Sequence, residues 1–481
     1  MTCFKRGQII VLPHEGTDIS ALHDAGIRFL YSIGDIISFY RTTRLEQDRE
    51  FKSANDYSQF YPKVLQVKPG QEISTAEWLV SHGLVDAAAP NYLVTPSAAQ
   101  EVAPVATFNL EFLRASLRGM AAESSPMCGA DVTVALLDTG VDPTAIPWPC
   151  KVSQYQYDVN DPKDLSAFRP PTDRNGHGTL LAGIISAIVP AATIHSVKVS
   201  GDQGTLAGVL AGINLAEEFF QPDIINMSFR IHAPPPGSEI SYAQTEFMFK
   251  SFLRRSRAGR AADRPLVIAC AGNNEAEVSA PASFEGVLAV GAFAGANGGP
   301  EGYSRYRSLP HHRFIRAPGG ADGDCVGWAR SISGGVAQSE VHFGTSFAAA
   351  FASGIAARYA CALRGGACSY PSGRDIIGWE FVLECLRRSA RMPEVASEYE
   401  GWGNLFYDLS AVERIRAAWA EMDASSRCSS QLLLEDANYR DQAIRRHAYY
   451  RAERRGFTPG RELEDWVEAE RLFTAATLSA V

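Results

Sequence analysis

Four polar residues stand where a nucleophilic reaction could be assembled. Asp138 ends the buried-strand pattern of Val132–Gly140 (VTVALLDTG), and Gly140 permits a sharp exit from it. His177 opens a helical pattern within Asn175–Gly183 (NGHGTLLAG), between glycines that let the backbone bend tightly around it. Ser346 opens a small-residue helix in Gly344–Gly354 (GTSFAAAFASG), which puts its hydroxyl near the positive end of a helix dipole. Asn273 follows Gly272 at the end of the strand-like run Val267–Asn273 (VIACAGN). Serine is a poor nucleophile until a neighbouring base takes its proton. Histidine suits that task because its ordinary pKa lies near neutrality. An aspartate can hold the imidazole tautomer and stabilise the imidazolium. A side-chain amide at Asn273 could donate to a developing oxyanion.

Each of these signals has an ordinary structural reading. DTG can be a strand-end turn, HGT a helix N-terminus, and GTS an N-cap whose hydroxyl satisfies a backbone N–H. The four together, in the order Asp, His, Asn, Ser, favour catalysis. Asp138 and His177 are 39 residues apart and His177 and Ser346 are 169 apart, so only tertiary structure can join them.

The elements that must do the positioning are legible between about 108 and 423. Strand-like runs at Val132–Leu137, Thr193–Val199, Asp223–Met227, Pro265–Ala271 and Gly286–Ala292 alternate with helical patterns. Those patterns are Gly178–Ile188, Leu206–Phe219, Thr245–Arg257 and Thr345–Leu363. Such alternation predicts an α/β fold whose mainly parallel sheet is covered on both faces. Residues 1–95 mix short apolar runs (Gln8–Leu12, Ile27–Ile33, Ile36–Tyr40, Val64–Val67) with polar helical stretches (Asp18–Ala25, Ser74–His82), which predicts a small α+β domain. Residues 96–107, rich in small residues and proline without a period, read as a linker. Residues 424–481 are charged and helical, with a Gly/Pro break at 456–460.

The chain has 481 residues, 46% hydrophobic and 21% charged, enough for a large core and against a disordered chain or a rod. A net charge of −9 argues against nucleic-acid binding through bulk charge. The nine cysteines include no CxxC pair, so neither a zinc knuckle nor a thioredoxin-type dithiol is signalled. The first residues carry no signal-peptide core, and the apolar stretch Leu180–Ile194 is too short to span a bilayer. The expectation is a soluble, cytoplasmic protein without a membrane partner.

The motif set resembles that of the subtilisin-like serine proteases, the subtilases. The resemblance covers roughly 108–423 and adds Ile225–Ser228 (INMS), Pro281–Gly291 (PASFEGVLAVG) and Ala317–Gly319 (APG) to the four motifs above. The chain order Asp, His, Ser is that of subtilisin and belongs to the resemblance. It implies a three-layer fold with a mainly parallel sheet, and hydrolysis of protein or peptide substrates through an acyl-enzyme, with no cofactor. By the family's pattern Asp138, His177 and Ser346 form the triad. Asn273 and the Ser346 N–H form the oxyanion hole. Ser228, Phe229 and Arg230 form the edge that pairs with an extended substrate. Ala271, Gly272 and Asn273 wall the pocket for the side chain before the scissile bond.

The chain also departs from the pattern. Phe229, Arg230 and Ile231 replace the family's Gly-Gly stretch, so Arg230 could obstruct the cleft or select an acidic substrate, or else point to solvent. Ala350 replaces the usual helix proline. The family's calcium loop has almost no counterpart in Ile185–Ile194, so no metal is expected there. Glu275 and Glu277 would favour Arg or Lys substrates if either reached the pocket, and are otherwise surface carboxylates. Residues 1–95 resemble a subtilase propeptide, best at Leu84–Val94 (LVDAAAPNYLV), which implies an intramolecular inhibitor with its tail in the cleft; an unrelated docking domain is the alternative. Ile444–Glu470 resembles the helical DUF2934 module, read as a hairpin of opposite charges, Asp436–Arg455 against Arg461–Phe473, that does not bind nucleic acid. Two rivals to a general endopeptidase are a dedicated maturation protease for one precursor and a catalytically silent scaffold.

Overall fold

The computed structural model describes residues 3–13, 22, 26–47, 61–96, 103–120, 128–153, 157–158, 173, 175–201, 203–232, 243–249, 265–273, 277–293, 301–304, 313–321, 324–333, 336–364, 379–391, 401–421, 461 and 467. The helices expected over Asp18–Ala25 and the two of 436–473 fall largely outside these residues. The helix expected over Thr245–Arg257 is described as helical at 243–249.

The N-terminal part is an antiparallel sheet with two helices. Its strands are β1 (Phe4–Leu12), β2 (Arg28–Ser32), β3 (Lys63–Gln66) and β4 (Ala87–Pro96), with β1 between β3 and β4. The helices are α1 (Ile33–Gln47) and α2 (Glu72–Ser81). Strand alternation sends Ile9, Val11, Leu65 and Val67 toward Ala76 and Leu79 of α2, and Ile10, Leu12 and Val64 toward α1. The apolar run Ile36–Tyr40 lies in α1. Ile33, Ile36, Ile37 and Tyr40 recur at helical spacing and all are buried, so the period of one helix face decides the element.

The expected linker contains structure. Residues 103–108 form β5 (Ala103–Phe108), followed by α3 (Leu110–Gly119). β5 pairs with a segment more than 200 residues away, so the pairing that makes it a strand is invisible to local composition.

The central sheet is built from β6 (Thr133–Asp138), β7 (Lys151–Val152), β8 (Tyr157–Asp158), β9 (Thr193–Lys198), β11 (Ile224–Met227), β13 (Leu266–Cys270), β14 (Leu288–Phe293) and β15 (Arg313–Pro318). It runs β15-β14-β13-β11-β6-β9-β7, with β8 also on β9, and every pairing is parallel. Successive residues of one strand serve opposite layers. Val134 and Leu136 join Ile268 and Val290 under α4 (His177–Ile188) and α6 (Thr345–Arg364). Ala135 and Leu137 join Ile225 and Ala269 under α5 (Leu206–Phe219). Burial on both faces is why these strands read as continuous apolar runs. α7 (Trp379–Ser389) and α8 (Leu409–Glu421) pack outside α6. α6 is long and apolar enough to cross a membrane, yet it is buried here across its first four turns. The fold is thus the expected three-layer α/β arrangement. β16 (Gly327–Ser333) and β17 (Val336–His342) form an antiparallel hairpin with β5 on its outer side.

The two parts share one core. Ile36, Tyr61, Tyr92 and Val94 belong to the same apolar cluster as Leu210, Ile213 and Phe229. β4 lies between two short edges, β10 (Gly204–Thr205) and β12 (Phe229–Ile231), antiparallel to both. The fully buried Asn91 of β4 accepts the Ala207 N–H at 3.1 Å and donates to Gln8 Oε1 at 3.0 Å. It thereby satisfies one of the open donors of the first turn of α5.

Candidate active site

Parallel strands deliver Asp138 and Asn273 to the same end of the sheet, and two helices begin there. Asp138 is the last residue of β6 and His177 the first of α4. His177 Nδ1 lies 2.6 Å from Asp138 Oδ1, with the pair almost wholly buried. The same carboxylate oxygen accepts the Thr139 N–H at 2.8 Å. A carboxylate so placed holds a proton on Nδ1 and presents Nε2 as the basic atom. His177 Nε2 is buried and has no hydrogen-bond partner among the described residues. The close approach of α4 to β6 needs Gly178, because a Cβ there would collide with the Gly140 carbonyl.

Ser346 stands in the first turn of α6, fully buried. Its hydroxyl donates to the Ser228 carbonyl at 3.1 Å. The Ser228 hydroxyl lies 3.1 Å from the Ser346 carbonyl and 2.9 Å from Asn226 Oδ1. The neighbouring Phe347 ring packs edge-on against His177 with centroids 5.5 Å apart, which brings the first turn of α6 to the imidazole.

Asn273 is oriented by the residue before the serine. Thr345 donates its backbone N–H to Asn273 Oδ1 at 3.0 Å, and its hydroxyl lies 3.1 Å from the same oxygen. With the oxygen so engaged, the amide NH2 is the opposite end of the group. Gly344, at φ +147°, leaves room for it: a Cβ there would stand 2.8 Å from Asn273 Nδ2. Ala271 and Gly272 are buried, and Gly272 N–H donates to the Thr345 hydroxyl at 3.1 Å.

Phe229 is buried in the core, and Arg230 is half-buried. The edge expected to pair with a substrate is occupied by the protein's own β4, in the register Phe229–Pro96, Arg230–Thr95 and Ile231–Val94. His232 N–H continues the ladder to the Leu93 carbonyl at 3.0 Å. Of the two acids considered for the pocket, Glu277 is exposed and Glu275 lies outside the described residues. α4 and β9 are joined by residues 189–192 alone.

Two residues escaped the sequence reading. Asp173, buried, accepts the Asn175 and Gly176 N–H groups at 3.1 and 2.8 Å and the Thr139 hydroxyl at 2.9 Å on one oxygen. Its other oxygen accepts the Thr179 N–H at 2.9 Å and hydroxyl at 2.6 Å. It therefore locks the turn that presents His177; the Asp173-x-Asn-Gly spacing ahead of a helix was the available signal. His342, the last residue of β17, is buried with neither ring nitrogen bonded among the described residues. Burial first, and His177 nearby second, push its pKa down to about 4.

Comparisons with known proteins place the chain in a family. The family model described as Peptidase_S8, subtilase family, matches residues 129–402, and that of DUF2934, a protein of unknown function, matches 439–475. A subtilisin-like protease of Coccidioides posadasii is 32% identical over 243 residues, covering 48% of this chain and 52% of its own length. Subtilisin DY of Bacillus licheniformis is 29% identical over 180 residues, 34% of this chain and 57% of its own. The chain thus spans little more than half the length of these relatives. Among solved structures, fervidolysin of Fervidobacterium pennivorans superposes with a TM-score of 0.55 at 16% identity, over 85% of this chain and 61% of that one. The epidermin leader peptide processing serine protease of Staphylococcus aureus gives 0.57 at 14% identity, over 87% and 100%. These two likenesses are likenesses of fold.

Proposed function

We propose that this chain, which belongs to the subtilase family, is a serine-type endopeptidase that hydrolyses peptide bonds through an acyl-enzyme on Ser346. The observation that carries this reading is the buried 2.6 Å contact between His177 Nδ1 and Asp138 Oδ1, with the His177 ring packed edge-on against Phe347, the residue after Ser346. In the reaction the Ser346 hydroxyl leaves the Ser228 carbonyl for His177 Nε2. The imidazole takes its proton as Oγ attacks the substrate carbonyl carbon, and Asp138 stabilises the imidazolium. Negative charge forms on the carbonyl oxygen, where the Asn273 NH2 and the Ser346 N–H are the donors. The tetrahedral species expels the amine, protonated by His177, and water then releases the acyl group by the same route in reverse.

The N-terminal domain serves as the intramolecular inhibitor. Supporting this are the pairing of β4 with β12 along the substrate edge and the core it shares with α5. The bond cleaved in activation lies just beyond Pro96, where the paired strand ends one residue from Ser228. A narrower role, maturation of one precursor, is favoured by the half-buried Arg230 on that edge; a peptide library separates broad from narrow cleavage.

The test is a fluorophosphonate probe on the purified chain, with mass mapping of the labelled peptide and of the mature N-terminus. Ser346 carries the label, and Ser346→Ala or His177→Ala loses labelling and hydrolysis. The loss in kcat is about 10⁶-fold, the figure known for these changes in subtilisin. Wild-type rates in Ser346→Ala overturn the assignment. An unprocessed but fully active wild type overturns the inhibitor role alone.

A further inference from the structure

Cys128 and Cys361 meet at the end of α6 remote from Ser346. Cys361 lies in the last turn of that helix, Cys128 precedes β6, and both are partly exposed. The Cys128 and Cys361 thiols lie within hydrogen-bond reach of each other. Gly129 N–H donates to the same sulfur at 3.2 Å, across 232 residues of sequence. The Cys128 carbonyl accepts the Ala191 N–H at 3.1 Å, so the peptide that follows Cys128 is held at both its carbonyl and its N–H. The two thiols are therefore set against each other before any chemistry occurs.

The surroundings distinguish the two sulfurs. The Cys128 thiol, the largest influence, and the Gly129 N–H on its sulfur draw the Cys361 pKa down, to about 6, against the opposing effect of burial. Cys128 is pushed up and keeps its proton. The charged neighbours are Arg358, Arg364 and Asp131. Arg364 is itself paired with Asp223 and donates to the Asp131 carbonyl at 2.6 Å, while Arg358 lies 4.0 Å over the Tyr407 ring. Two partly exposed thiols in contact, one of them accepting a backbone N–H that favours its ionised form, have the features of an oxidisable pair.

We propose that Cys361 and Cys128 form a redox site whose substrate is a hydroperoxide. The Cys361 thiolate attacks the outer peroxide oxygen and the O–O bond breaks. The departing hydroxide or alkoxide takes a proton from solvent, leaving Cys361 as a sulfenic acid. The Cys128 sulfur then attacks the Cys361 sulfur, and water leaves with the Cys128 proton. The dithiol has lost two electrons to the peroxide and closed a Cys128–Cys361 disulfide. That bond ties the segment entering the Asp138 strand to the helix whose first turn carries Ser346.

The experiment uses the full-length Ser346→Ala chain, so that self-digestion does not intervene and the outcome is independent of the protease reading. The protein is titrated with hydrogen peroxide, the remaining thiols are alkylated, and peptides are mapped by mass. A Cys128–Cys361 crosslink is expected at the lowest doses, ahead of modification at the other cysteines, and reversed by dithiothreitol. In Cys128→Ser, Cys361 accumulates as a sulfenic acid that dimedone captures. In Cys361→Ser, oxidation of Cys128 slows at least ~10-fold at neutral pH, since the thiol that remains is largely protonated. The proposal is overturned if Cys361 reacts no faster than the other cysteines, or if its first disulfide partner is any residue but Cys128.

Discussion

Thr95 lies directly across from Arg230 in the antiparallel ladder of β4 and β12. The next pair toward Ser346 is Pro96 with Phe229, and Ser228 beyond it holds the Ser346 hydroxyl through its carbonyl. The backbone groups that an extended peptide would use on this edge are thus taken by the chain itself. On the reading proposed above, an incoming substrate would compete with a tethered strand, whose effective concentration is high.

The first prediction follows from Val94, fully buried between Gly204 and Ile231. Val94→Asp puts a carboxylate into that apolar contact, at a cost of about 2–4 kcal/mol to docking. Initial hydrolysis of a fluorogenic peptide by the unprocessed chain should rise at least ~10-fold. An unchanged rate in a folded Val94→Asp protein would show that β4 does not limit access.

The second concerns Asn273 and Thr345. Asn273→Ala should lower kcat about 10²–10³-fold with KM nearly constant, the range that losing such a donor costs in subtilisin. Thr345→Val keeps the backbone N–H to Asn273 Oδ1 and removes the hydroxyl that also contacts Gly272. Its kcat should fall by roughly 10-fold, the cost of loosening the donor without deleting it. A tenfold rise in KM with kcat intact in Asn273→Ala would make the residue a substrate contact instead.

The third concerns Asp173. Asp173→Ala strands three backbone donors and two hydroxyls in a buried turn. Denaturant unfolding in the Ser346→Ala background should show a loss of about 3–5 kcal/mol. Asp173→Asn retains one acceptor oxygen and should lose less. A loss below about 1 kcal/mol in Asp173→Ala would mean that water replaces the carboxylate.

What the sequence revealed and what it hid divide along physical lines. The strand ends and helix starts near which Asp138, His177, Asn273 and Ser346 stand were legible because their patterns are local and glycines mark the turns. The parallel sheet was legible because strands buried on both faces leave continuous apolar runs. β5 was hidden because its partner, Gly327–Arg330, is remote in sequence. Ile36–Tyr40 was legible only as an apolar run, because a short run does not announce its period and Ile33 before it completes the helix face. The role of His342 had no local signal: a lone histidine at a strand end acquires meaning only from Phe347 and His177 across the fold.

The last prediction rests on that histidine. His342 is 4% exposed and its pKa is pushed from 6.5 down to about 4 by burial first and by His177 second. Between pH 6.5 and 4 the unfolded chain therefore binds a proton at this residue that the folded chain refuses. Stability must fall as pH drops through that window and level off, for this group, below about pH 4. The full difference is on the order of 3 kcal/mol. His342→Phe keeps an aromatic ring of similar shape and removes the titration. Unfolding free energies from pH 4 to 8, in the Ser346→Ala background, isolate the effect as the difference between the two proteins, because the carboxylates common to both cancel. The parent should lose ground to the His342→Phe variant steadily below pH 6.5. Parallel curves would show that His342 takes up its proton in the folded state as readily as in the unfolded one, with water or a rearranged neighbour satisfying the charge.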